Sequence, residues 1–189
     1  MRYILASKSP RRKELMKLIS SDFLTISEDI DEEKSYVLPP IEAVKDIAKR
    51  KGEEVYKSYI NDLVISADTI VVIDDLIIGK PKDEDDAYKI LNKLSDKTHY
   101  VYTAFALFYK NKVLVDVVST AVTFNKLSDE LIQKYIKSKS PLDKAGGYGI
   151  QDNEKYHLIK NIVGSYDNVV GFPVKEIKEK IKEIISSCD

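Results

Sequence analysis

Residues 5–15 read LASKSPRRKEL and place Arg11 and Arg12 in the first turn of a predicted helix. Helices ordinarily carry Asp or Glu there, because the unpaired backbone N–H groups at that end bear partial positive charge. Two guanidinium groups in that position imply a local anion. A short strand, a loop holding Ser7 and Ser9, and a helix N-terminus would turn backbone N–H groups toward a phosphate or carboxylate. The hydroxyls would add donors, and the guanidinium groups would add bidentate ones. A plainer role stays open beside this one: Ser9-Pro10 is also a good helix start, and arginines can face water.

Other charged residues widen the choice. Asp68 interrupts the apolar run LVISADTIVVI, where a carboxylate is costly unless it is partnered or stands at a strand end, the place where α/β proteins put chemistry. Lys80, in IGKPKD, lies at the end of a second β-rich run, Glu32 lies in the acidic stretch SEDIDEEKSY (27–36), and Lys51 follows Lys49 and Arg50. Singly, Asp68 reads equally as a turn residue and Lys80 as a solvated lysine. Together they supply both signs of charge that a magnesium-phosphate site needs, carboxylates for the metal and Arg or Lys for phosphate oxygens.

The chain around these residues has 189 residues, 43% hydrophobic, with 30 Lys and Arg against 31 Asp and Glu. A net charge of −1 leaves no global attraction for nucleic acid or an anionic membrane, so any anion site must be local. The length suits one domain spanning 1–189. Cys188 is the one cysteine, which leaves no internal disulfide or cysteine metal site and fits a reducing cytoplasm. The polar, basic Ser7–Lys13 segment supports neither a signal peptide nor a membrane span. GKP at 79–81 lacks the glycine spacing and following Ser or Thr of a Walker A loop, and His99 and His157 stand too far apart in sequence to suggest a metal pair.

The positioning elements alternate between strand and helix. A strand at 3–6 precedes a helix capped by Ser9, with Leu15, Leu18 and Ile19 as its apolar face. A second helix starts near Pro40 and runs to about Tyr56. Residues 62–81 hold two strands with a tight turn at Asp74-Asp75. An amphipathic helix capped by Asp83 follows, then a long hairpin (99–109 and 112–124) and a helix over 128–137 capped by Ser128. A glycine-rich turn (143–151) leads to a strand-like YHLIKNIV and a closing helix from Pro173. The sum is an α/β protein with a mixed sheet.

LASKSPRRKEL, SADTIVVIDDLIIGKPKDEDDAYKILNKLSDKTHYVYTAFAL, LDKAGGYGIQ and IVGSYDNVVGFP, in this order from residue 4 to about 174, resemble the Maf family of nucleoside triphosphate pyrophosphatases, also called septum-formation inhibitor-like proteins. The resemblance implies a two-lobed mixed sheet flanked by helices, similar to the inosine triphosphate pyrophosphatase fold. It implies hydrolysis of a nucleoside triphosphate to the monophosphate and pyrophosphate with a divalent cation, Mg or Mn, in a cytoplasmic, commonly homodimeric enzyme. It gives Asp68 the role of general base or metal-positioning carboxylate, and Glu32 that of a metal ligand. Ser7, Arg11 and Arg12 match the phosphate-gripping loop, and Lys51 and Lys80 the lysines that neutralise the triphosphate. Substrate branches differ near Arg11, Thr69 and Gln151, and DKAGGYGIQ is similar to the branch acting on dTTP and UTP, modified pyrimidine nucleotides included. The alternatives are the same chemistry on 7-methyl-GTP or another non-standard nucleotide, and a nucleotide-binding regulator of septum formation. Two departures stand out: DNEKYHL follows Gln151 where the family continues with glycines and small residues, and Phe172 replaces a leucine.

Overall fold

The computed structural model describes residues 1–188. Seven strands, β1 (Tyr3–Ala6), β2 (Phe23–Ile26), β3 (Leu63–Ile73), β4 (Leu76–Ile78), β5 (Thr98–Tyr109), β6 (Lys112–Phe124) and β7 (Ile159–Val163), form a mixed sheet in the order β2-β1-β3-β5-β6-β7, with β4 paired to β3 off that path. The flanking helices are α1 (Pro10–Met16), α2 (Pro40–Tyr56), α3 (Glu84–Leu94), α4 (Asp129–Lys137), α5 (Asn153–Tyr156), α6 (Tyr166–Val170) and α7 (Val174–Ser186). By internal contacts the chain divides into two compact units. One comprises Met1–Thr69, Thr103–Val118 and the C-terminal segment from Gly171; the other comprises Ile70–Tyr102 and Ser119–Val170.

In the first unit β1 runs parallel to both β2 and β3, and its pairing with β3 ends at Ala6 opposite Ser66. Because strand side chains alternate between faces, Leu63, Ile65 and Ala67 pack with Leu5, Met16, Phe105, Phe172 and the buried stripe Ile177, Ile181 and Ile184 of α7. Val64 turns to the opposite face and packs with Ile4, Ala6, Phe108 and Val55 of α2. Each fully buried Val, Leu, Ile, Met or Phe among them contributes roughly 1.5–3 kcal/mol.

The second unit is built on α3 and α4, whose caps Asp83 and Ser128 accept from the backbone N–H of Asp86 and Leu131. Its core joins Val71, Ile73, Leu91, Leu94, Phe124, Ile132, Tyr135, Tyr148 and Ile150. Asp74 and Asp75 adopt φ of 53° and 59° in the turn between β3 and β4, the left-handed pair of a hairpin turn.

The structure corrects the elements in three places. α1 stops at Met16, which takes the core position, while Leu18 is turned out and 58% exposed; Leu15 and Ile19 pack against the same core as expected. β2, α5 and α6 are four or five residues each, too short to announce themselves by periodicity. Asp68 stands in the middle of the eleven-residue β3 rather than at its end. No helix among the described residues is long and apolar enough to cross a membrane.

Candidate active site

β3 outruns its parallel neighbour. Beyond Ser66 it has no partner in β1, so Asp68 and Thr69 stand just past the carboxyl end of β1, where the chain turns into the Ser7–Ser9 loop. Although Asp68 lies within a strand, it thus lies at a sheet edge of the kind that hosts ligands in parallel sheets. Alternation then separates the two side chains: Asp68 shares the α2 face with Val64 and Ser66, and Thr69 shares the α1 face.

On the α2 face, Lys51 Nζ lies 2.7 Å from Asp68 Oδ1 and 2.7 Å from Glu32 Oε1. The helix reaches β3 because residue 52 is glycine. A Cβ there would lie 2.3 Å from Phe108 Cε2 and 2.5 Å from Ser66 Oγ, while the Ser66 hydroxyl donates to the Ala48 carbonyl at 2.6 Å. Burial pushes the Asp68 carboxyl above the ordinary carboxylate range, against the pull of Lys51 and Arg12 and with a further push from Glu32. Tyr36 is pushed up to about 12 by its burial and by Glu32 and Asp68.

Glu32 is carried by the loop of the acidic stretch, just before a 3-10 turn at Glu33–Ser35, and the loop is clasped to α2. The Ser35 hydroxyl donates to Asp46 Oδ2 at 2.6 Å, and Arg50 donates to Ser35 Oγ at 3.0 Å and to the Asp31 carbonyl at 2.9 Å. Ser35 is 1% exposed. Nothing in its polar sequence neighbourhood signals this burial, so the clasp was not legible beforehand.

On the α1 face, Ser9 caps the helix and accepts from the Arg12 backbone N–H at 3.4 Å. The Arg12 side chain turns inward. Its Nε donates to the Gly171 carbonyl at 2.9 Å, one Nη donates to Thr69 Oγ1 at 3.1 Å, and the other lies 3.5 Å from Ser7 Oγ. Gly171, at φ 112°, leaves the room: a Cβ there would meet Thr69 Oγ1 at 3.0 Å. Burial lowers the Arg12 pKa while Asp68 raises it and Arg11 lowers it, yet a guanidinium stays charged. The buried Ser7 accepts from the Ser9 backbone N–H at 3.2 Å. Thr69 also pairs with the hydroxyl of buried Thr103 at 2.9 Å. Thr103 falls within an apolar run of β5, and sequence reading passed over it.

Ser7, Arg11, Arg12, Glu32, Lys51, Asp68 and Thr69 thus share the first unit; the contacts above join Glu32, Lys51 and Asp68 on one face of β3 and Ser7, Arg12 and Thr69 on the other. Lys80 and Gln151 belong to the second. There Lys80 is exposed next to Gly79, whose carbonyl accepts from the Gly146 N–H at 3.0 Å, so the segments of Lys80 and of the glycine-rich turn are tied together. Gln151 is exposed on a 3-10 turn, Ile150–Asp152, rooted by buried Ile150.

No group of three or more His, Cys, Asp or Glu among the described residues is arranged to hold a metal. The two carboxylates that share the Lys51 ammonium are still a fitting donor set for a hard divalent cation. Magnesium usually takes one or two protein carboxylates and draws its other ligands from water and phosphate.

The family model described as Maf-like protein matches residues 2–184. A dTTP/UTP pyrophosphatase of Acholeplasma laidlawii is 43% identical over 95% of this chain and 95% of its own length. Proteins of the same name from Clostridium botulinum and Dictyoglomus turgidum are 43% and 44% identical, covering 98% and 90% of this chain and 100% and 90% of their own lengths.

Proposed function

Because the chain belongs to the Maf-like protein family, we propose that it is a nucleoside triphosphate pyrophosphatase that hydrolyses dTTP and UTP to the monophosphate and pyrophosphate. The observation that carries this reading is the buried Asp68, raised in pKa and held by Lys51 beside the Ser7–Arg12 loop. A carboxylate of raised pKa accepts a proton near neutral pH more readily than an ordinary one, which is what a general base needs.

Asp68 takes a proton from the attacking water as its oxygen bonds to the α-phosphorus and the bond to the bridging oxygen of the β-phosphate breaks. Pyrophosphate leaves with the electron pair. Ser7 and Arg11 grip phosphate oxygens, and Lys51 and Lys80 neutralise charge as it accumulates on the leaving group. Arg12, already committed to Gly171 and Thr69, holds the loop and Thr69 in place while adding its charge. Gln151, through an amide that both donates and accepts, reads the O4/N3 edge of a pyrimidine, with Arg11 and Thr69 as the other selectivity positions. Glu32 and Asp68 would hold a Mg or Mn ion, which when bound neutralises triphosphate charge and polarises phosphoryl oxygen. The enzyme acts as a cytoplasmic homodimer, which sedimentation of the purified protein tests.

Pyrophosphate release from dTTP, UTP, CTP, ATP, GTP and 7-methyl-GTP with Mg²⁺ or Mn²⁺ tests the activity, with Asp68→Asn as control. Turnover concentrated on dTTP and UTP and lost in the variant is expected. Turnover centred on a purine nucleotide overturns the base assignment, and none at all leaves a nucleotide-binding protein.

A further inference from the structure

We propose that Tyr135 is a positioning residue for base selectivity, acting by clamping the turn that presents Gln151. The inference rests on the reading that Gln151 contacts the base. Tyr135 comes from α4, has no exposed surface, and packs its ring on Tyr156 with centroids 4.8 Å apart. Its phenol oxygen works in both directions, donating to Asp152 Oδ2 at 2.7 Å and accepting from the Gly149 backbone N–H at 3.0 Å. Those partners stand on either side of Ile150 and Gln151. One buried oxygen thus fixes both ends of the four-residue segment whose exposed side chain is Gln151.

Within the segment the Asp152 backbone N–H donates to the Gly149 carbonyl at 3.0 Å and closes the turn on itself, while the Tyr135 oxygen anchors that closed turn to α4. Gly146 is bonded to Gly79, and the Tyr148 hydroxyl lies 2.7 Å from His99 Nε2, so both hold the turn upstream of Gly149. On the far side, Asp152 Oδ2 also accepts from the Ser140 hydroxyl at 2.6 Å, and Ser140 Oγ accepts from Lys144 Nζ at 2.9 Å. Asp152 opens the DNEKYHL stretch that departs from the family pattern, and its charge now has a use as the acceptor that completes the Tyr135 clamp. Burial and Asp152 both keep the phenol protonated and able to donate. Removing the hydroxyl leaves a buried ring of nearly the same shape but takes away the tether that ties both ends of the Gln151 segment to α4, Asp152 keeping Ser140.

The test compares kcat and KM for dTTP, UTP and GTP in the full-length protein with Mg²⁺, for Tyr135→Phe, Gln151→Ala, the double variant, Asp152→Ala and Asp152→Asn. Tyr135→Phe is expected to raise KM for dTTP and UTP about tenfold, with kcat within about twofold and the preference over GTP reduced about tenfold. That is the scale of one well-placed hydrogen bond. Inhibition by inorganic pyrophosphate, which does not involve the base, should not change. In the Gln151→Ala background the same substitution should alter selectivity less than about twofold. If Tyr135→Phe fails to fold, Asp152→Ala should lower selectivity in the same direction and Asp152→Asn, whose amide oxygen still accepts, should restore it. Loss of selectivity in Gln151→Ala but in neither clamp variant overturns the role of Tyr135 and leaves the Gln151 reading standing. Unchanged selectivity in Gln151→Ala overturns the premise and the proposal together.

Discussion

Lys51→Met removes the cation that sits 2.7 Å from both Glu32 and Asp68 while keeping a stem of similar length. The Glu32 side chain is 41% exposed, so losing that partner costs at most the roughly 0–1 kcal/mol of a surface pair. The Asp68 side chain is only 10% exposed, and stripping the partner from a buried pair costs about 3–5 kcal/mol. Arg12 still supplies positive field at Asp68, and the carboxyl can take up a proton, so the lower end of about 3 kcal/mol is expected. In a chain of this size that lowers Tm by about 6–12 °C. The same change pushes the Asp68 pKa further up, so the acid limb of the pH–rate profile moves to higher pH. At neutral pH the loss of base function reduces kcat by about 10²-fold or more. Thermal unfolding and a pH series of pyrophosphate release, in the wild type and in Asp68→Asn, separate the contributions. With Asp68 neutralised, Lys51→Met should cost no more than about 1 kcal/mol, because only the half-exposed pair remains. An acid limb that stays put or moves to lower pH, or an equal Tm loss in both backgrounds, would refute the idea that Lys51 holds Asp68 ionised.

Asp68→Asn should abolish turnover without lowering Tm at neutral pH. A carboxyl whose folded pKa is raised contributes stability fully at low pH and loses it as pH rises through that pKa, so urea unfolding from pH 4 to 8 should show a flatter profile in the variant. His99 works in the opposite sense. Burial pulls its imidazole from 6.5 to about 4, so the stability it confers is present above 6.5 and lost as pH falls toward 4, about 3 kcal/mol in all; His99→Phe should remove that acid-side loss, measured by the same titration. Thr103→Val deletes the hydroxyl 2.9 Å from Thr69 Oγ1 and should cost about 1–2 kcal/mol together with a change in the dTTP to UTP preference. Thr103→Ser should restore both.

Sequence alone determined much of this protein. Helix starts follow from a local chemistry of caps and proline, so Ser9, Asp83 and Ser128 appear at the expected ends, and the Asp74-Asp75 turn and the long hairpin follow from strand periodicity. The ordered motifs resembled the family, and that resemblance, together with the two signs of charge a magnesium-phosphate site needs, pointed to Asp68, Glu32, Lys51 and Lys80 as a group. Tertiary structure decided what those charges touch. That Asp68 lies past the end of β1 depends on the unequal lengths of two parallel strands. That Lys51 reaches it depends on a glycine at 52 letting α2 close on Phe108. Arg12, whose plainer reading was an arginine facing water, turns inward to Gly171 and Thr69, and Ser35, Thr103 and Tyr135 gave no local sign of their roles. Their partners lie 11, 34 and 14–17 residues away in the chain, and a hydrogen bond across such separations has no period in the sequence; only packing brings its two ends together.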